Sequence, residues 1–204
     1  MLSGCWYTKQ AYFFLEDRIK AADLEALARD KDASEDLRLL QERISRIRRF
    51  AAEELGLKLT KSYRKYRALE RDYVALVVSA CDSDSFTRYY WRYPFLGKLP
   101  YKGFYVEKDA EREFSRLKSL GYDTVLRKVE AFSSLGFFND PLFSFMKDYS
   151  ESELAELVFH ESAHATLWVK KDDQFNEEYA TFLGREAAVR YLKHVYGPDR
   201  KSVV

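Results

Sequence analysis

The sequence has few of the residues that cross-link a chain, break its helices or leave it disordered. It contains 2 cysteines, 4 prolines and 8 glycines in 204 residues. Two cysteines cannot build a disulfide framework or a cysteine-rich zinc knuckle, and so little proline and glycine excludes collagen and low-complexity chains. Charge of one sign is also lacking, because 34 basic residues nearly balance 33 acidic ones. A chain with a net charge of only +1 has no general field to hold a polyanion, so no nucleic-acid partner is expected. The longest apolar stretches, such as residues 73–81, are far shorter than the roughly 20 residues of a membrane helix.

Hydrophobic residues make up 47% of the chain and aromatic residues 16%, enough for a full core. No linker or repeat interrupts the sequence, which predicts a single domain over residues 1–204. Apolar periodicity predicts helices over residues 9–28, from Ser34 to Gly56, and over residues 109–120. Apolar or β-branched runs predict strands at residues 73–80, 101–106 and 124–132. Strands in the middle and helices at both ends indicate an α+β fold.

The first residues, Leu2-Ser3-Gly4-Cys5, are similar to a bacterial lipobox, in which the cysteine is lipidated after signal cleavage. A signal peptide needs a basic and an apolar region upstream, and only Met1 precedes this motif. Two interpretations stay open at this point. Residues 1–5 are either the remnant of a lipoprotein signal or an accidental dipeptide before the first helix.

The chemistry of the chain is concentrated in one predicted helix. Ser150 and Glu153 form a capping-box pattern that starts it, and His160-Glu161-Ser162-Ala163-His164 follows. Histidines at i and i+4 lie on the same face one turn apart, so both imidazoles are able to hold one ion. Glu161 lies next to the pair and is expected to reach water at the metal without being a ligand.

A tetrahedral catalytic zinc site needs a third protein ligand, and the next helix begins with Asn176-Glu177-Glu178. Glu177 shares a helix face with small residues such as Ala180 and Gly184, and that face is able to pack closely on the histidine helix. Glu178 shares a mixed face with Arg185, which is able to pair with it. A carboxylate on a close-packed face must be paired or bound to metal, which favours Glu177, with Glu178 as the alternative.

These motifs resemble those of a known family. His160-Glu161-x-x-His164 with Asn176-Glu177 is similar to the gluzincin metallopeptidases, of which thermolysin is the best known. Phe159 to His164, Phe175 to Glu177 and the aromatic segment from Phe132 to Leu142 together resemble the bacterial putative aminopeptidase family over nearly the whole chain. The predicted strand Tyr101-Lys102-Gly103-Phe104-Tyr105 also resembles this family.

The resemblance implies a zincin-like fold, with a small, mostly antiparallel sheet, an active-site helix and a following helix that bears the ligand Glu. It implies a Zn²⁺ cofactor held by His160, His164 and Glu177, a peptide substrate, and Glu161 as the general base for a metal-activated water. It also implies an exported protein, which favours the lipobox interpretation and predicts attachment to the bacterial cell envelope through lipidated Cys5. The alternative function is a non-catalytic, zinc-containing protein that binds peptides or the envelope, and a purely structural helical protein is a third.

The chain departs from the family pattern in ways that leave parts of the site open. Family members are usually longer, so the chain is expected to be either a short member or truncated after Val204. Thr181 stands where the thermolysin pattern has an Asp that orients a histidine, and a hydroxyl supplies no charge. Candidates for stabilising the oxyanion are Tyr101, Tyr105, Tyr149 and Tyr179, and candidates for recognising an α-amine are Glu178 and Asp140. His194, near the end of its helix, is expected to have a surface or capping role.

Overall fold

The computed structural model describes residues 3–93, 97–129, 139–170 and 172–197. The chain divides into two compact units. The sheet unit comprises Met1–Glu16 and Glu70–Phe132, and the helical unit comprises Asp17–Leu69 and Ser133–Val204. The single domain expected over residues 1–204 stays a prediction beside this division.

The architecture is mixed α and β with small, mostly antiparallel sheets, as the sequence pattern predicts. The helices are α1 (Ser3–Ile19), α2 (Leu24–Arg29), α3 (Glu35–Glu53), α4 (Glu107–Ser119), α5 (Glu151–Thr166) and α6 (Asp173–Tyr196), with a 3₁₀ helix at Ser144–Asp148. The strands are β1 (Ala22–Asp23), β2 (Lys65–Arg67), β3 (Ala75–Asp82), β4 (Trp91–Tyr93), β5 (Gly97–Leu99), β6 (Lys102–Phe104), β7 (Tyr122–Val129) and β8 (Leu142–Phe143). Within the described ranges, no helix combines the length and the apolar character that a membrane crossing requires.

The prediction of one continuous helix over residues 9–28 is wrong. α1 ends at Ile19, and the chain is extended at residues 22–23, where Ala22 pairs with Tyr66 of β2. The carboxylate of Asp23 then accepts a hydrogen bond from the backbone N–H of Ala26 at 2.9 Å and starts α2. The apolar spacing does not mark a continuous buried face, since Leu15 is 48% and Ile19 81% exposed, and the pairing of residues 22–23 with β2 ends the helix.

The sheet unit is built around β3, which lies between β6 and β7 in an antiparallel sheet. Val78 of β3 pairs with Leu126 of β7 and with Lys102 of β6, so the three predicted strands are confirmed with shifted ends. The predicted end of the last strand, residues 130–132, lies outside the described residues. α4 packs on this sheet and closes an aromatic core. The core residues are Tyr73, Leu76, Val78, Ala80, Trp91, Tyr93, Phe104, Ala110 and Leu117.

The helical unit is built from α3, α5 and α6. Ser34 caps α3 through a hydrogen bond from the N–H of Leu37 to its hydroxyl, at 3.3 Å. The buried face of α3 packs on α5, and α5 makes its most extensive contact with α6. The rings of Phe50, Phe159 and Tyr191 meet between the three helices, with centroids 5.3–6.1 Å apart. This aromatic contact fixes the two helices that carry the predicted site residues.

The ends of α5 and α6 follow from local sequence. The hydroxyl of Ser150 accepts a hydrogen bond from the N–H of Glu153, and the Glu153 carboxylate accepts one from the N–H of Ser150 at 2.7 Å. The predicted capping box is therefore confirmed. α6 stops at Gly197, which has a φ of 83°, a conformation that glycine adopts without steric cost.

Candidate functional site

His160 and His164 lie one turn apart on α5 and face the same way. Their Nε2 atoms are 3.1 Å apart, and the ring centroids are 4.8 Å apart. The His164 side chain is 2% exposed and the His160 side chain 23%. The capped helix α5 therefore presents two imidazole nitrogens on one face, where His164 is buried and His160 is partly exposed.

α6 brings Glu177 to the same place. One carboxylate oxygen lies 3.6 Å from Nε2 of His160 and the other lies 3.5 Å from Nε2 of His164. Glu178 points elsewhere and accepts a hydrogen bond from the side-chain amide of Gln174 at 2.8 Å. Arg185 contacts Glu156 of α5 rather than Glu178. Of the two carboxylates that the sequence leaves in competition, the structure places Glu177 beside the imidazoles.

Close packing between α5 and α6 makes this approach possible. The α6 face that contains Glu177 also contains Ala180, Gly184, Ala187 and Ala188, and all four small residues are buried. A Cβ atom on Gly184 would lie 3.1 Å from the carbonyl oxygen of Glu156 and 3.3 Å from Cβ of His160. Only a residue without a side chain fits there at the present helix separation.

The three side chains fit a single metal ion. Their ligand atoms all lie within 4.8 Å of one another. Two ligands about 2.05 Å from a tetrahedral zinc ion lie about 3.3 Å apart, and the observed separations of 3.1–3.6 Å bracket that value. Two imidazoles and one carboxylate are also a donor set typical of zinc and unsuited to the oxygen-preferring Mg²⁺ and Ca²⁺.

The electrostatics of the cluster agree with this donor role. Burial lowers the pKa of His160, and the neighbouring His164 lowers it further, against an opposing effect of Glu177. Burial likewise lowers the pKa of His164. Both rings are therefore neutral near pH 7 and keep a nitrogen lone pair for a metal. Two neutral rings attract a carboxylate only weakly, so a shared cation accounts for the convergence better than an ion pair does.

The orienting role that the family pattern suggests for Thr181 is not observed at His164. The Nδ1 atom of His164 is buried and has no hydrogen-bond partner within the described part of the chain. An imidazole that binds metal through Nε2 carries its proton on Nδ1, and such a proton usually has an acceptor. The His164 ring instead packs against the Trp168 ring, with the two ring centroids 5.5 Å apart.

Glu161 lies on α5 between the two histidines and is buried, with 7% of its surface exposed. Glu161 interacts electrostatically with Tyr63, a residue that the sequence analysis missed. Burial raises the pKa of the Tyr63 phenol well above its ordinary value, and the negative charge of Glu161 raises it further. The segment around Tyr63 has no periodicity or motif, so nothing in the sequence distinguishes it from the other 14 tyrosines.

Tyr63 has a strained backbone that its neighbours hold in place. Its φ is 62°, a left-handed conformation that is unusual for a bulky side chain. Its N–H donates to the carbonyl of Asp140 at 2.7 Å, and the N–H of Asp140 donates to the hydroxyl of Ser62 at 3.1 Å. Arg48 donates to the carbonyls of Ser62 and Thr60, both at 2.8 Å. Such strain is found most often at functional sites, which supports a role for Tyr63 near Glu161.

The other candidates from the sequence lie in several places. Tyr149 contributes to the electrostatic surroundings of Tyr63, and Tyr179 stacks on Phe175 at 6.1 Å. Tyr101 and Tyr105 belong to the sheet unit, where Tyr105 stacks on Phe13. Asp140, one candidate for an α-amine, forms an ion pair with Arg18. The ring of His194 packs against the ring of Phe50, with centroids 5.1 Å apart, and is not part of the group formed by His160, His164 and Glu177.

Comparison with known proteins agrees with the motif resemblance. A family model described as "Putative aminopeptidase" matches residues 7–203. Searches of curated proteins and of solved structures gave no significant match. The family match covers nearly the whole chain, including α5, α6 and the residues His160, His164 and Glu177. The chain therefore belongs to the putative aminopeptidase family.

Proposed function

We propose that this protein is a zinc-dependent peptidase of zincin-like fold, and an aminopeptidase by its family. One observation carries the proposal. Two neutral imidazoles, that of His164 buried and that of His160 partly buried, converge within 4.8 Å with a carboxylate from a second helix, and a buried glutamate lies between the two histidines in sequence. A structural protein gains little from this arrangement, since it places Glu177 against groups that carry no compensating charge.

His160, His164 and Glu177 would hold the ion in this proposal. Zinc bound by these side chains supplies a Lewis acid for a carbonyl and lowers the pKa of water toward about 7. Three protein ligands rather than four are typical of catalytic zinc sites, which keep one position for water or substrate.

Glu161 is the proton carrier in this proposal. Its carboxylate takes a proton from the attacking water and returns it to the leaving nitrogen, so that the peptide bond breaks to an acid and an amine. Tyr63 is the proposed donor to the developing oxyanion, because its phenol interacts electrostatically with Glu161.

Two substitutions test the proposal separately for metal and for chemistry. Glu161→Gln is expected to keep one zinc per chain and to abolish peptide hydrolysis, because an amide does not accept the proton. His164→Ala is expected to lose the zinc. Metal content is measured by elemental analysis after dialysis into zinc-free buffer. Activity is measured on aminoacyl amides and on longer peptides.

Glu178→Gln is the matched control, because Glu178 is the exposed neighbour of Glu177 and contacts Gln174 instead of the histidines. Wild-type metal content is expected for it. Full hydrolysis by the Glu161→Gln variant, or a wild-type protein that retains no zinc, would refute the proposal. Zinc without turnover of any peptide would favour the alternative of a non-catalytic binding protein.

A further inference from the structure

Asn176 is fully buried, with 0% of its surface exposed, and its side chain makes two hydrogen bonds to one other residue. Its side-chain oxygen accepts a hydrogen bond from the N–H of Val169 at 2.8 Å. Its side-chain NH₂ donates to the carbonyl of Val169, also at 2.8 Å. The amide thus closes a two-bond ring with the backbone of Val169, in the way that a neighbouring strand would. We call this pair the Asn176–Val169 ring.

The ring joins two parts of the chain that carry metal ligands. Val169 lies in the connection after α5, five residues beyond His164, and Asn176 lies in the first turn of α6, immediately before Glu177. The first turn of a helix lacks half of its internal hydrogen bonds and frays readily. Asp172 caps this turn by accepting from the N–H of Phe175 at 3.1 Å, but that contact is internal to the α6 end.

Glu177 itself has little to fix it. Its side chain is 52% exposed, and its carboxylate contacts the two imidazoles. An exposed carboxylate loses conformational entropy when a metal binds it, and that loss is smaller when its backbone is already immobile. The position of Glu177 therefore depends on whatever anchors the start of α6 to the histidine side of the site.

From this geometry we infer that Asn176 is the positioning residue for the third metal ligand, acting through the Asn176–Val169 ring. The inference rests on the metal-binding part of the proposed function. It adds a residue that sets the affinity of the site for zinc. Groups that orient a ligand commonly change metal affinity by about 10- to 100-fold when they are removed.

The experiment measures zinc affinity by chelator competition, together with the visible spectrum of the Co²⁺-substituted protein and the melting temperature of the metal-free protein. Asn176→Ala is expected to weaken zinc at least tenfold and to change the Co²⁺ spectrum, since a loosened Glu177 alters the coordination. Asn176→Asp keeps the side-chain shape and the acceptor for Val169 but loses the donor, and it is expected to weaken zinc as well. Gln174→Ala is the control. It removes an exposed side-chain amide from the same turn, and that amide donates its hydrogen bond to Glu178.

A lower melting temperature with wild-type zinc affinity and spectrum would overturn the inference and leave Asn176 as a stabilising residue only. Absence of zinc from the wild-type protein would instead overturn the proposed function, so the two failures are distinguishable. A second measurement covers the case in which the variants do not fold. In the wild-type protein, zinc is expected to slow hydrogen exchange at the Val169 amide, because coupling between two sites is reciprocal. Unchanged exchange at Val169 upon zinc binding would contradict the inference.

Discussion

Gly184→Ala probes the contact that allows α6 to approach the histidine helix. The added Cβ atom would lie 3.1 Å from the carbonyl oxygen of Glu156, 3.3 Å from the backbone nitrogen of His160 and 3.3 Å from its Cβ. Ordinary contacts of this kind are about 3.4–4.0 Å. Two of the three atoms belong to the backbone of α5 and the third is fixed to it, so none can rotate away. The helices must therefore separate by a few tenths of an ångström.

Two opposing free-energy changes decide the effect on stability. Replacing glycine by alanine in a helix stabilises it by about 1 kcal/mol. Overpacking a close contact costs about 1–3 kcal/mol. The free energy of unfolding of the metal-free protein is therefore expected to fall by about 0–2 kcal/mol, which lowers the melting temperature by a few degrees in a chain of this size.

The effect on zinc is expected to be clearer than the effect on stability. Glu177 lies two turns before Gly184 on the same face, so separating the helices at His160 also moves the carboxylate away from both imidazoles. We expect zinc affinity to fall about tenfold, equivalent to about 1.4 kcal/mol. Chelator competition measures the affinity, and thermal denaturation of the metal-free protein measures the stability.

Glu186→Ala is the matched control, because Glu186 is exposed on the opposite side of the same helix. It is expected to leave zinc affinity and melting temperature close to the wild-type values. A Gly184→Ala protein that is more stable than wild type and binds zinc equally well would refute the reasoning. That result would mean that α5 and α6 have room for a methyl group and that Gly184 does not set their separation.

Three further substitutions test other parts of the structure. Glu151 is buried, which raises its pKa, but hydrogen bonds from Tyr191, Tyr196 and Arg46 outweigh this, so the pKa is lower than its ordinary 4.5. Glu151→Gln should therefore cost about 1–2 kcal/mol in urea unfolding at pH 7. The loss should vanish as the pH falls below 4.5 and through the depressed pKa, because the wild-type group then also protonates; a constant difference down to pH 2 would contradict this. Ser150→Ala removes the α5 cap and should cost about 1 kcal/mol with unchanged zinc affinity, and no loss of stability would show that the cap is dispensable. Tyr63→Phe should keep zinc and lower kcat/KM for peptides at least tenfold, whereas an unchanged value would remove the hydroxyl from the reaction.

Much of the local structure follows from short-range patterns. The Ser150 capping box predicts the start of α5, and spacing by one turn places His160 and His164 on one face, because these features depend on a few neighbouring residues. Helical phase also predicts which face of α6 is buried, and with it the orientation of Glu177. Whether these side chains hold a metal stays a prediction for the experiments above.

Other features depend on contacts between residues far apart in the sequence. Tyr63 and Glu161 are brought into electrostatic range only by folding, and no pattern near Tyr63 indicates it. The break after α1 depends on the pairing of Ala22 with Tyr66, which overrides a continuous apolar periodicity.

By itself, the sequence determined where α5 begins and the face on which its two imidazoles lie, because hydrogen bonding and side-chain period within a helix are local. The tertiary structure alone decided the close approach at Gly184, the Asn176–Val169 ring and the strained turn at Tyr63. These arise from how buried surfaces and backbone groups of separate segments satisfy one another, and no single segment specifies that.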